Sequence, residues 1–193
     1  MKFAHSAIAA ALGLAFCGAA LAQAGTVQRD VNQQERIEQG LKSGQLTTRE
    51  AGRLEREESR VERDQARAMQ DGKLSPAEKA RLAREQNRVS RDIYREKHNA
   101  QTGNPDSASS QRMQADVQRN VNQQQRIEQG VKSGSLTNRE TARLEHGESR
   151  INRAEARAGA DGKVGPREQR RIQKAENRES RRIHREKHDA QSK

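Results

Sequence analysis

Cysteine and aromatic residues are nearly absent from this 193-residue chain, which has one cysteine, one tyrosine, two phenylalanines and no tryptophan. The cysteine, Cys17, and both phenylalanines, Phe3 and Phe16, lie near the N-terminus. The rest of the chain can therefore form no disulfide and no zinc–thiolate site. A large aromatic core is also excluded. Stability has to come from helix formation and from packing of smaller side chains.

The N-terminal segment has the features of a secretory signal peptide. A basic residue, Lys2, precedes an apolar run from Ala7 to Ala22, and small residues suited to cleavage follow it. We predict that residues 1–24 are removed and that the exported chain, periplasmic or secreted, begins near Gly25. No membrane span is expected in this mature chain.

Charged residues are abundant and mainly basic. The chain has 38 Lys or Arg and 27 Asp or Glu residues, a formal net charge of +11. Such a surface stays in solution and attracts anions. Charges of both signs alternate with good helix formers, and pairs such as Arg60–Asp64 have helical spacing. The sequence therefore indicates long, exposed helices with little core.

An internal duplication covers most of the chain. Residues 27–100 match residues 117–190 at an offset of 90, as in QQERIEQGLKSGQLT and QQQRIEQGVKSGSLT. The pattern predicts an all-α fold of two tandem copies of a three-helix antiparallel hairpin unit. The predicted parts are helical repeat 1 at 25–100, a flexible linker at 101–113 and helical repeat 2 at 114–193. The expected helices are 27–42, 47–70, 75–99, 114–132, 137–160 and 165–190.

The apolar stripes of these helices are narrow. Leu54 and Val61 recur at a spacing of seven residues, which suits a thin seam between antiparallel helices. In the second copy Glu179 stands where the first copy has Val89. A carboxylate thus replaces a packed methyl pair, so the second copy is expected to be less stable or to use this position differently.

Four corners combine a helix-ending glycine with a helix-starting cap. In the first corner Gly44 ends one helix, Thr47 caps the next and Glu50 completes a capping box. The other corners contain Gly72, Ser75 and Glu78, then Gly134, Thr137 and Glu140, and finally Gly162 and Glu168. Gly165 replaces the hydroxyl residue in the last corner, so this cap is predicted to be the weakest.

No group of residues indicates catalysis or a cofactor, so we predict no enzyme and no catalytic, cofactor-binding or metal-binding residues. The segment DGKLSPAE at 71–78 resembles half of an EF-hand loop, but Arg67 and Met69 occupy positions that need oxygen ligands. A capping corner is therefore favoured there. His184 and His188 have a spacing that could chelate a transition metal, although contact with the last helix carbonyls is favoured.

Two basic segments near helix C-termini could bind polyanions. They contain Arg91, Arg95 and Lys97 in the first copy and Arg181, Arg185 and Lys187 in the second. Phosphate-bearing partners would be attracted to them. An equally favoured reading is a solvated outer helix face, because no aromatic residues are interleaved for base stacking.

The repeated L-T-x-x-E at helix starts, as in 46–50 and 136–140, resembles the L-T-x-x-Q of periplasmic stress proteins of the Spy/CpxP type. That resemblance implies a curved helical cradle, usually a homodimer, that binds unfolded proteins without ATP. The function expected first is therefore that of an exported non-enzymatic, chaperone-like or envelope-stress protein. Alternatives are a basic protein that binds envelope polyanions, and a degenerate EF-hand-like or other metal-binding protein.

Overall fold

The computed structural model describes the backbone of residues 14–189 and the side chains of residues 23–189. Its α-helices are Leu14–Lys42 (α1), Thr48–Ala68 (α2), Pro76–Lys97 (α3), Ala108–Lys132 (α4), Asn138–Ala158 (α5) and Pro166–His188 (α6). A short 3₁₀ helix at Gly159–Asp161 follows α5. The described part of the chain contains no strand, so the predicted all-α class is confirmed.

Two helices begin earlier than predicted. Helix α4 begins at Ala108, inside the segment predicted as a linker at 101–113, because the Ser107 side chain caps it by accepting a hydrogen bond from the Ser110 N–H. The remaining connection packs on the first corner, where the Gly103 N–H donates to the Gly44 carbonyl at 2.8 Å. Helix α1 extends back to Leu14. Most of the predicted signal peptide lies outside the residues whose side chains the structure describes.

Each corner turns at a glycine in the left-handed region, which disfavours any residue with a Cβ. The φ angles are 73° at Gly44, 87° at Gly72, 67° at Gly134 and 85° at Gly162. In the first corner the Thr47 side chain accepts from the Glu50 N–H, and the Thr47 N–H donates to Glu50 Oε2 at 2.8 Å. Ser75 with Glu78 and Thr137 with Glu140 form the same reciprocal pair. Capping therefore accounts for these hydroxyl and glutamate residues.

The fourth corner keeps only half of this arrangement. The Gly165 N–H donates to Glu168 Oε2 at 2.8 Å, but Gly165 has no side chain to accept in return. Its backbone angles, φ −83° and ψ 161°, are close to φ −67° and ψ 158° at Ser75. A serine therefore fits the position without a change of backbone.

We expect Gly165→Ser to raise the free energy of unfolding by about 0.5 kcal/mol, because the new hydroxyl satisfies a helix N–H. Urea denaturation followed by circular dichroism measures the change. Ser75→Gly is the matched control, and it should lower the stability by a similar amount. If neither substitution moves the midpoint, the caps do not limit the stability of these helices.

The two copies pack against each other through their first and second helices. Helix α2 lies antiparallel to α5, and α1 lies antiparallel to α4, in the most extensive helix contacts of the described chain. Helix α3 packs on α1 and α2, and α6 packs on α4 and α5. The sequence left open whether the copies contact each other, and the structure shows that they share a core.

Paired contacts reveal an approximate two-fold axis between the copies. Lys42 Nζ donates to Gln118 Oε1 at 3.2 Å, and the equivalent Lys132 Nζ donates to Gln28 Oε1 at 3.1 Å. Equivalent residues also meet each other, since the Asn152 side-chain amide donates to Glu62 Oε1 at 2.9 Å. The arrangement is that of a symmetric dimer contained in one chain.

The shared core is built from polar as well as apolar side chains. Leu54, Val61 and Ile151 are buried, but buried polar and charged residues are about as numerous as the buried apolar residues. The apolar seams are therefore thin, as the sequence indicated. The prediction of exposed helices is wrong for the helix faces that contact the other copy. Buried polar side chains fill the space between the copies there.

The exchange of Val89 for Glu179 is accommodated by a second exchange. Both residues are buried, with relative exposures of 4% and 7%. Gly147 lies opposite Glu179, where a Cβ would overlap the carboxylate. The first copy has Glu57 at the position of Gly147. A half-buried carboxylate on α2 in the first copy is thus replaced by a buried carboxylate on α6 in the second, and the glycine provides the space for it.

Candidate anion-binding groove

The two predicted basic segments lie on different helices and border separate cavities. Arg91 lies with Arg36 and Tyr94 at one cavity, whereas Arg181 and Arg185 border another, beside α5. The four arginines Arg91, Arg95, Arg181 and Arg185 are exposed, and Lys97 and Lys187 are half-buried. The structure therefore does not join the segments into one surface.

The two lysines of these segments are less basic than usual. Burial lowers the pKa of Lys97, and the nearby Arg36 lowers it further. Burial and Arg126 act in the same way on the pKa of Lys187. Arg36 and Arg126 hold the first helix of each copy to Ser90 and Ser180 through guanidinium hydrogen bonds. Part of each basic segment therefore packs against the first helix of its own copy.

A longer series of arginines, which was not predicted, runs along the outer sides of α2 and α5. In α2 these are Arg49, Arg53, Arg56, Arg60, Arg63 and Arg67, and in α5 they are Arg139, Arg143, Arg150, Arg153 and Arg157, with His146 at the position equivalent to Arg56. Spacings of three and four residues place side chains on one helical face. This periodicity was the signal in the sequence that could have identified the series.

Because α2 and α5 lie side by side, their arginines border a groove, which we call the arginine groove. Its larger part has a volume of about 590 Å³ and is lined by Arg63, Arg67, Arg139, Arg143, His146 and Arg182, with Ala66, Gln70 and Ala142. Its smaller part has a volume of about 300 Å³ and is lined by Arg56, Arg60, Arg63, Arg153 and Arg157, with Ser59 and Ala156. Arg63 belongs to both parts, so the two are continuous.

Few negative charges neutralise the arginine groove. No Asp or Glu lines either part of it. Among its arginines from α2 and α5, within the described residues, only Arg67 has a carboxylate within 4.0 Å, that of Asp64 at 3.4 Å. Arg139 instead donates to the Asp71 carbonyl. Like charges that share a concave surface produce a strong local positive potential.

The opposite faces of the same two helices carry buried carboxyl groups. They are Glu55, Glu58 and Glu62 in α2 and Glu145, Glu148 and Glu155 in α5, each at most 1% exposed. Burial raises the pKa of all six, to about 7 for Glu55. Neighbouring carboxyl groups raise the pKa of Glu58 and Glu62 further. Raised pKa values favour neutral acids, which do not cancel the charge of the arginine groove.

Side-chain amides pair with several of these acids. Gln34 Nε2 donates to Glu55 Oε2 at 3.0 Å, as its counterpart in the second copy does to Glu145. In the first copy Gln65 donates to Asp30 at 2.7 Å. In the second copy Asn120 donates to Glu155 at 2.7 Å, so the acid and the amide have exchanged sides. Each copy therefore keeps an acid–amide hydrogen bond at this second pair of positions, with the acid on opposite helices.

The histidines near the helix C-termini contact backbone carbonyls. His98 Nδ1 lies 2.7 Å from the Tyr94 carbonyl, and His188 Nδ1 lies 2.7 Å from the His184 carbonyl. This is the contact that the sequence favoured over metal chelation. His146 lies in the lining of the arginine groove, where the sequence assigned it no role.

The arginine groove is suited to holding anions. Each guanidinium can form two parallel hydrogen bonds with a phosphate or sulfate group. The carboxyl groups with strongly raised pKa, such as Glu58, Glu62 and Glu148, are at most 1% exposed and lie out of reach of a solute. The geometry therefore supports binding rather than acid–base chemistry.

Comparison with family models, with curated proteins and with solved structures gives no match for this chain. Over the residues that the structure describes, no helix has an apolar stretch long enough to cross a membrane. Any functional conclusion therefore depends on the chain's own geometry.

Proposed function

We propose that this protein binds a linear polyanion bearing phosphate or sulfate groups along the arginine groove, without catalysing a reaction. The observation that supports this proposal is the pair of arginine series on α2 and α5, with no carboxylate in the lining between them. The two continuous parts of the groove follow the helices, which suits an extended ligand. Binding would release counterions from the polymer and depend strongly on salt.

Recognition in the groove would depend on charge spacing rather than on bases. Tyr94 is the only aromatic residue after position 16, and it lies on α3 outside the groove lining. Nucleobases usually stack on aromatic side chains in proteins that bind single strands. The absence of such a side chain from the groove favours an inorganic or polysaccharide polyanion. If the N-terminal segment acts as a signal peptide, this ligand belongs to the cell envelope or its surroundings.

The chaperone-like function implied by the Spy/CpxP resemblance has less support. Among the described residues, Tyr94 is the only large hydrophobic side chain that is exposed, at 60%. Unfolded proteins are usually held by larger apolar surfaces. A client-binding protein should suppress aggregation of a heated test protein at moderate salt, whereas we expect no suppression here.

We expect Arg143→Ala combined with Arg157→Ala to weaken the binding of long-chain inorganic polyphosphate about tenfold at 0.1 M salt. Both side chains are exposed in the arginine groove and neither has a carboxylate partner among the described residues. The slope of log Kd against log salt concentration should fall by about 2, one for each lost contact. Fluorescence anisotropy at several salt concentrations, with heparin as a second ligand, measures both quantities.

The matched control removes two arginines from α3. Arg91→Ala with Arg95→Ala changes the net charge equally, and both residues are exposed outside the arginine groove. Arg95 is paired with Asp92 at 2.8 Å, and the arginine side chain of this pair is 67% exposed. We expect this control to change the affinity less than twofold. Equal losses of affinity in the two double variants would mean that diffuse positive charge, and not the arginine groove, causes binding.

A further inference from the structure

The two copies differ at the contact between the end of the last helix of each copy and the capping box at the start of its second helix. In the first copy the Asn99 side-chain amide lies between two carboxylates. Its Nδ2 donates to Glu50 Oε1 at 2.7 Å and to Glu96 Oε2 at 3.0 Å. The N–H groups of one amide thus join the end of α3 to the start of α2.

In the second copy the equivalent residues are Glu140, Glu186 and Asp189. The amide donor is replaced by a third carboxylate. One oxygen from each of the three groups lies within 4.8 Å of those from the others. Like charges at this distance repel each other unless a positive group lies between them.

Glu140 supplies a second, independent observation. The residue is 2% exposed, and its Oε1 is buried without a hydrogen-bond partner. The equivalent atom in the first copy, Glu50 Oε1, receives the Asn99 amide. Within the described residues, neither Glu140 nor Glu186 has a Lys, Arg or His nitrogen within 4.0 Å. A buried carboxylate oxygen without a donor is costly unless a cation approaches it.

We propose that Glu140, Glu186 and Asp189 bind a divalent cation, and that Ca²⁺ fits the site best. All three ligands are carboxylates, which hard cations prefer. Calcium binds oxygens at about 2.3–2.6 Å, so it can bridge oxygens up to 4.8 Å apart, which is the upper limit for these three groups. Magnesium requires shorter distances of about 2.0–2.1 Å and strict octahedral geometry.

The surroundings of the three carboxylates suit an exchangeable structural ion. Glu140 Oε2 remains in the capping box, where it accepts from the Thr137 N–H at 2.7 Å, so this carboxylate is fixed before the ion arrives. Glu186 is half-buried and Asp189 is exposed, which leaves space for water ligands. The C-terminus of α6 presents its negative dipole end at the same place. The ion joins α6 to α5, as Asn99 joins α3 to α2.

This site is separate from the corner segment 71–78 that resembles an EF-hand loop. None of its ligands comes from that segment, and it uses one predicted cap residue, Glu140, together with two residues that were not predicted as ligands. The proposal is independent of the arginine groove, because the three residues do not line it.

The test is a calcium titration of the complete processed chain by isothermal titration calorimetry in 0.1 M KCl. We expect one site with a Kd of about 10⁻⁴–10⁻³ M and a melting temperature that rises as calcium is added. Asp189→Asn restores the residue set of the first copy, so it should fold normally in chelator and lose at least tenfold in affinity. Asn99→Asp should create a second site and raise the stoichiometry to two.

Three results would overturn the proposal. The first is a wild-type chain that gives neither heat nor a melting shift up to about 10 mM calcium. The second is an Asp189→Asn variant that binds as tightly as the wild type. The third is an Asn99→Asp variant with one site, since the inference requires the amide and the cation to be interchangeable. Because polyphosphate itself binds calcium, its binding to the arginine groove is tested separately in calcium-free samples of the same variants.

Discussion

The protein is expected to be more stable at pH 5 than at pH 8, with a melting temperature that falls by about 10 °C or more between them. The reason is the number of buried carboxyl groups with raised pKa. The pKa is raised to about 7 for Asp30, Glu55, Asp116 and Glu179, and to about 8 for Glu176. Burial is the largest cause in each case.

The sign follows from the protons that each state holds. In the unfolded chain these groups ionise near pH 4, whereas in the folded chain they keep their protons up to about pH 7 or 8. Between these values the folded state binds more protons, so raising the pH favours unfolding. The stability is complete below about pH 4 and is lost as the pH rises through the folded pKa values. Each group contributes at most about 1.4 kcal/mol per pH unit.

Thermal melting by circular dichroism from pH 4 to pH 8 measures this profile. Glu58→Gln with Glu148→Gln replaces two fully buried carboxyl groups, whose oxygens have no hydrogen-bond partner, by neutral amides of the same shape. We expect this variant to gain stability at pH 8 and to change little at pH 5, which flattens the profile. Asp106→Asn, at an exposed position, is the control and should leave the profile unchanged. Stability that increases from pH 5 to pH 8 would contradict the prediction.

The second large effect is expected from Asn120→Asp, which should lower the free energy of unfolding by about 3 kcal/mol at pH 7. The Asn120 amide donates to Glu155 Oε2 at 2.7 Å and to Asn152 Oδ1 at 3.1 Å, and all three residues are buried. The substitution removes both donations and places a second carboxyl group against Glu155. One of the two acids must then stay protonated or repel the other.

The first copy supplies the compensating change. There the acid is Asp30 and the amide is Gln65. In a background of Glu155→Gln, the Asn120→Asp substitution reproduces that pair, so its cost should fall to about 1 kcal/mol. Urea denaturation of the wild type, both single variants and the double variant gives a coupling energy of about 2 kcal/mol. Additive effects would mean that the two side chains do not interact as the structure indicates.

The local features of the fold could be predicted from the sequence because they depend on neighbouring residues. The glycine at Gly44 and the capping box of Thr47 and Glu50 need only residues a few positions apart. Helix positions followed from these corners. The packing of α2 on α5 could not be predicted in this way, since it joins residues about 90 positions apart whose complementarity appears only in the fold.

The candidate sites were missed for a related reason. Glutamate is usually exposed, so the prediction of long, exposed helices did not identify buried glutamates such as Glu58 and Glu62. The alternation of arginine and glutamate around α2 did contain the information, because it places the two residue types on opposite faces. The exchange of Asn99 for Asp189 is visible when the copies are aligned. Whether this exchange creates a binding site depends on Glu140, which lies beside Asp189 only in the folded chain.

The antiparallel contact between the copies also constrains how the chain folds during synthesis. Glu62 in α2 accepts a hydrogen bond from Asn152 in α5, and the shared core contains residues of both copies. The first three helices therefore lack part of their core until α5 has been made. Contacts so distant along a chain form slowly. Until α5 has been synthesised, the first copy therefore exposes the side chains that later form the shared core.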